Sequence, residues 1–252
     1  MKVFKKVALA AALVGTVFAA NATLILGDAG LAFGNVRVTF GNVDWNAPIN
    51  TPPNVIKTYG SFLTSGGSNT GVFAGAAFTA GTGITNGTIQ DMSASPTDAN
   101  YMPVGSSVTP LSLNFLNFAA QPGWQFSVYT LGTGTFPSSP YILTQQEGNV
   151  GALITVRGIA CDTGGDNYCN LLDDKTNWTG SFSTNYQNTT VAAMAALLLG
   201  VDGIGGTADD GALPNQQWAG NILATRIPEP GSIALFGLGL VGLAAMRRRA
   251  VK

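Results

Sequence analysis

The chain has 252 residues, only 10% of them charged, with a formal net charge of −1 and no histidine. The missing histidine excludes a Ser-His-Asp triad, a Cys-His pair and a histidine-based zinc site. Residues 23–226 alone hold five cations against twelve acids, a net −7, which argues against nucleic acid and anionic lipid as partners of that body.

The first residues, MKVFKKVALAAALVGTVFAANA, carry Lys2, Lys5 and Lys6 and then an uncharged stretch from Val7 to Ala19. Ala20-Asn21-Ala22 gives the small-x-small pattern of a cleavage site. This reads as a signal peptide over residues 1–22, with Thr23 as the first mature residue and Sec and signal peptidase as the implied partners. The apolar run is short for a membrane anchor.

Residues 23–226 read as one domain. FGNVRVTFGNVDW (33–45) alternates Val36, Val38 and Phe40 with Arg37 and Thr39, the pattern of a half-buried strand. Gly41-Asn42 then shifts the apolar set onto Val43 and Trp45, so a bulge or turn is expected there. Residues 46–60, with three prolines, read as a loop. Residues 70–81 and 87–92 read as strands joined by a Gly/Thr/Asn turn.

LSLNFLNFAAQPGWQFSVYTL (111–131) carries the clearest pattern. Leu111, Leu113 and Phe115 are expected on one face, and Trp124, Phe126 and Val128 on the next strand. Gln121-Pro122-Gly123 is the expected hairpin turn. Residues 151–160, 178–186 and 216–225 read as further strands. NTTVAAMAALLLG (188–200) reads as a short apolar helix, capped by Asn188 or Thr189 and ended by Gly200, packed over one end of the domain. About nine short strands with one helix predict an all-β, antiparallel β-sandwich.

Four groups bear on chemistry. Cys161 and Cys169, in CDTGGDNYC, are expected to form a structural disulfide in an oxidising compartment. Twelve acids allow a carboxylate pair, but the body has one Glu, Glu147, in a loop-like segment, so a secreted hydrolase is a minor reading. VDGIGGTADDG (201–211) sets Asp202, Asp209 and Asp210 among glycines. These oxygens make a calcium site the one cofactor reading, against the plainer one of solvated turn residues. Trp45, Trp124, Trp178 and Trp218 offer rings for stacking on sugars, which makes a carbohydrate-binding module the alternative function; their strand positions favour core packing.

The end of the sequence reads IPEPGSIALFGLGLVGLAAMRRRAVK. Residues 231–246 are uncharged and, at roughly 1.5 Å per residue, reach about 24 Å, against a hydrocarbon core of about 30 Å. They are expected to form a transmembrane helix, with snorkelling flanks or a locally thinned bilayer. Arg247, Arg248 and Arg249 anchor it on the cytoplasmic side. Pro228-Glu229-Pro230 favours an extended backbone outside the membrane.

A Pro-Glu-Pro triplet, a short Gly- and Leu-rich span and a terminal Arg cluster, in that order, resemble the PEP-CTERM sorting signal of Gram-negative bacteria. The body, through GVFAGAAFTAGTGITNGTIQDM and PVGSSVTPLSLNFLNFAA, is loosely similar to one recurrent type of protein with that signal. The resemblance implies recognition and removal of the tail by a membrane-embedded exosortase. It also implies an exported surface or extracellular-matrix protein, held first in the inner membrane and associated with exopolysaccharide and biofilm; the lack of a catalytic constellation in the residues makes it non-enzymatic by expectation.

Overall fold

The computed structural model describes residues 24–45, 59–65, 69–75, 78, 87–164, 169 and 174–227. The expected signal peptide with Ala20 and Ala22, the transmembrane segment 231–246, Pro228-Glu229-Pro230 and Arg247 to Arg249 lie outside them, as do most residues of the 46–60 loop. No helix among the described residues is long and apolar enough to cross a membrane.

The strands in chain order are β1 (Gly27–Val38), β2 (Asn42–Trp45), β3 (Tyr59–Ser65), β4 (Gly87–Gln90), β5 (Met92–Ser93) and β6 (Gly105–Ser106). They continue with β7 (Ser112–Phe118), β8 (Gln121–Leu131), β9 (Tyr141–Gln146), β10 (Asn149–Asp162), β11 (Lys175–Gln187) and β12 (Gln216–Arg226). One helix, α1 (Val191–Leu199), lies between β11 and β12.

The hydrogen-bonded order runs β12-β11-β10-β8-β7-β4-β3-β1, and β1 pairs back with β12, antiparallel from Gly27↔Ala224 to Val36↔Gln216. The expectation of an all-β antiparallel body therefore holds. In place of the expected two-layer sandwich, however, eight strands close into one barrel. The difference is a matter of pairing partners, which apolar alternation does not encode. Joining the first and last strands of the body leaves neither as an open edge. Short strands decorate the ends: β2 on β1, β9 on the first half of β10, and β6 on β8.

An eight-stranded barrel has an interior that side chains can just fill, and here aromatic rings fill it. Phe33, Trp45, Phe62, Phe115, Phe118, Phe126, Trp178, Phe182 and Trp218 are all buried. Ring centroids lie 4.8 Å apart for Phe33–Trp45, 5.4 Å for Trp45–Phe182 and 5.3 Å for Phe62–Phe118. Full burial stabilises by about 1.5–3 kcal/mol per large side chain, and tilted or edge-on ring pairs add about 0.5–1.5 kcal/mol.

Glycines make room for these rings. A Cβ at Gly220 of β12 would stand 2.6 Å from the Phe182 ring. One at Gly158 of β10 would strike the Ser127 carbonyl oxygen, the group that accepts the Trp178 indole N–H at 3.0 Å.

The strands follow their alternation with local slips. In β10, Val150, Ala152, Ile154, Val156 and Ala160 point inward. In β1 the inward set changes from Ala29, Leu31 and Phe33 to Val36 and Val38, where the register with β12 shifts between Phe33 and Asn35. The expected turn before Val43 is present: the Thr39 amide donates to the Asn42 carbonyl at 3.0 Å, and Val38 faces Val43.

The 111–131 hairpin also forms, with two corrections. The reversal falls at Ala119-Ala120, because Phe118 pairs with Gln121; Pro122 and Gly123 lie inside β8. A register shift between Ser112 and Leu116 turns Leu113 outward, 49% exposed, and carries Phe115, Leu116 and Phe118 inward.

The strand expected at 70–81 is not formed at its start. Gly71–Ala74 makes a 3-10 turn, entered at Gly71 with φ 58°, a conformation that favours glycine. The turn drops Phe73 into the core beside Phe118, Trp124 and Phe78, at 5.6, 5.4 and 5.7 Å. Helix α1 is as expected, capped one residue later than foreseen. The Thr190 hydroxyl accepts the Ala193 amide at 3.2 Å, Met194 and Leu198 are buried, and Gly200 follows at φ 63°.

Candidate functional site

The pairing registers give the barrel two distinct rims. One gathers the start of β1, the end of β12, the start of β11, the end of β10, the Ala119-Ala120 turn and the 3-10 turn. The other gathers the β1–β2 turn, β9, α1 and the 201–211 loop.

The first rim is where the body passes into its tail. On β12, Ala224 faces Trp178 of β11 on one side and Gly27 of β1 on the other. Thr225 and Arg226 pair only with Asn177 and Thr176 of β11, because the β1 ladder stops at Gly27. The entry to β1 is tied beside them. The Leu26 carbonyl accepts the Val72 amide at 2.9 Å and the Thr70 hydroxyl accepts the Asp28 amide at 2.9 Å. Asn221 donates to the Asp28 carboxylate at 2.6 Å across the seam.

The expected disulfide stands on this rim too. Cys161 and Cys169 are bonded, with Cα atoms 5.9 Å apart. Cys161 pairs with Lys175, one residue before the Thr176 that pairs with Arg226. The Cys169 amide donates to the Gln125 side-chain oxygen at 2.6 Å and Thr163 donates to the Gly123 carbonyl, which tether the loop to β8.

The second rim carries the acidic loop. The Asp209 carboxylate accepts the Val201 and Asp202 amides at 2.8 and 3.2 Å and the Thr207 hydroxyl at 2.7 Å. These donors, the Thr207 hydroxyl first, hold its pKa below the usual aspartate value. Asp202 accepts the Ile204 amide and Asp210 the Gly206 amide, at 2.7 and 2.6 Å. Each carboxylate of the calcium reading thus caps its own loop. Among the described residues no three side chains of metal-binding type converge on one point.

Beside this loop lies an open groove of about 530 Å³. Asn42, Ser95, Ser138, Thr207 and Asp210 contribute polar groups to its lining, and Phe40, Ala94 and glycines contribute apolar surface and backbone. No tryptophan faces it: Trp45, Trp124, Trp178 and Trp218 are all buried, as their strand positions favoured. Nearby, Tyr141 donates to the Thr39 carbonyl at 2.9 Å. Burial first, then Tyr186 and Asp210, push the Tyr141 phenol well above the ordinary tyrosine value. Burial does the same to Tyr186.

The geometry defines a class: a closed antiparallel barrel whose closing strand is followed at once in sequence by a C-terminal signal. That signal is a PEP-CTERM protein-sorting motif, matched over residues 226–249, about a tenth of the chain. The match begins on the last residue of β12 and includes Pro228-Glu229-Pro230 and Arg247 to Arg249. It implies export, membrane-associated sorting and an exosortase as processing partner. No curated protein and no solved structure matches the chain.

Proposed function

We propose that the chain is a non-enzymatic surface or extracellular-matrix protein whose barrel is the cargo and whose tail is the substrate. Residues 1–22 direct it to Sec for export and are removed by signal peptidase. Residues 231–246 hold it in the inner membrane with Arg247, Arg248 and Arg249 inside. An exosortase then acts near Pro228-Glu229-Pro230, and the barrel passes to the surface, in association with exopolysaccharide or biofilm. The observation that carries this reading is the sorting motif starting where the barrel's closing strand ends. The absence of histidine supports a non-catalytic body. The test is replacement of Pro228, Glu229 and Pro230 by alanine in the native host: the precursor should accumulate in the membrane fraction and the shorter form disappear.

A carbohydrate-binding body is the second reading, and the groove beside the 201–211 loop favours it. Its lining offers hydroxyl, amide and carboxylate groups and no cation, a chemistry suited to neutral sugars. It lies on the rim opposite the end of β12, so it would face away from the membrane. Retardation of the barrel in gels cast with neutral polysaccharide, lost in Asp210→Ala, would support this reading; equal mobility in all gels would remove it.

A further inference from the structure

In sequence the Pro-Glu-Pro triplet follows the barrel's last strand almost at once. Arg226 is still paired with Thr176, and Ile227 alone separates it from Pro228. Proline has no amide to extend the ladder and favours an extended residue before it, so the strand stops here.

An enzyme that cuts or transfers a peptide at Pro228-Glu229-Pro230 binds an extended stretch on both sides, largely through main-chain hydrogen bonds. On the N-terminal side those groups are already engaged. From Ala224 back to Ala219, β12 is paired on both edges, with β1 and with β11. Ala224 and Ile222 also point into the core, 3% and 0% exposed. Thr225 and Arg226 differ: both are exposed, and each pairs with β11 alone. Among the described residues of β12 they form the stretch before Pro228 that can open without uncovering the core.

We propose that the end of β12 is a clamp on the sorting site. The exosortase engages the folded barrel only after Thr225 and Arg226 leave β11, and this release sets the rate of processing. The clamp fixes the inner limit of the enzyme's reach at Thr225, so the barrel stays closed by Ala224 and Ile222 while its tail is removed. The inference rests on the reading of the tail as a sorting signal.

The test is a spacer series in the full-length protein, produced in its native host and followed by pulse-chase. Ile227 is deleted, left in place, or followed by Gly-Ser spacers of up to about eight residues. Each variant is checked for the Cys161–Cys169 disulfide and for the circular dichroism of the parent, so that folding is held constant. The clamp predicts processing that is slowest in the deletion and rises with spacer length to a plateau roughly tenfold above the parent, the factor set by one or two marginal hydrogen bonds. Rates independent of spacer length, or falling with it, overturn the clamp. Alanine at Pro228, Glu229 and Pro230 in the longest spacer variant separates the two claims. If that variant is still processed, the sorting reading fails; if it is not, the spacer series decides the clamp alone.

Discussion

Gly27 and Ala224 face each other across the β1–β12 seam, 197 positions apart in the chain. That pairing closes the barrel and brings the segment after the expected signal peptide and the segment before the sorting motif to one rim. The body is thus closed by a pairing between its first and last long strands.

The seam should be the costliest place to thin the core. Ile222 is fully buried on β12, between Ala29 of β1 and Gly180 of β11. Ile222→Ala should lower unfolding free energy by about 2–5 kcal/mol in urea titrations of the barrel. A loss under about 0.5 kcal/mol would mean that the seam is loosely packed.

The disulfide closes a short loop, so it restricts the unfolded chain only modestly. Replacing Cys161 and Cys169 by serine should cost about 2.5 kcal/mol in the loop-entropy account, with the far-ultraviolet spectrum kept. Loss of the spectrum would give the staple a folding role.

Alkaline pH should unfold the protein through its buried phenols. Burial raises the Tyr141 and Tyr186 pKa values in the fold above the 10.0 of the free side chain. Both states are protonated below pH about 10, so the stability is intact there. Above it the unfolded chain loses these protons first and stability falls. Tm measured from pH 8 to 11 should therefore drop beyond about pH 10, and less steeply in Tyr186→Phe. An equal slope in that variant would place the alkaline sensitivity elsewhere.

The acidic loop should be held by capping. Asp209→Ala removes the acceptor for the Val201 and Asp202 amides, so hydrogen exchange there should accelerate while β10 and β11 amides stay protected. Millimolar calcium should leave Tm unchanged, since the three carboxylates serve their own loop. A rise in Tm that Asp209→Ala abolishes would restore the metal reading.

The strands with clean alternation, β10, β11 and β12, were legible in the sequence, as were the helix and the disulfide. Their signals are local: inward residues at every second position, a capping threonine, two nearby cysteines. The alternation points Leu113 inward, but a bulge reverses the face of a strand without changing its composition. Tyr141–Gln146 carries little strand signal because only Tyr141 and Leu143 of its six residues are buried. Residues 71–74 look like strand by composition, yet the left-handed Gly71 and the burial of Phe73 impose a turn. Closure of the barrel rests on a contact between the two ends of the body, which no local pattern carries. The tail was legible because its three parts are consecutive; that β12 reaches Arg226, flush against the motif, is visible only in the pairing.

The measurement that bears most directly on this account is the intact mass and C-terminal peptide of the protein recovered from its native host. The account predicts a chain that begins at Thr23, retains β12 through Arg226 and ends close to Pro230, outside the inner-membrane fraction. A chain still ending at Lys252 in the membrane would contradict it and make the tail a plain anchor.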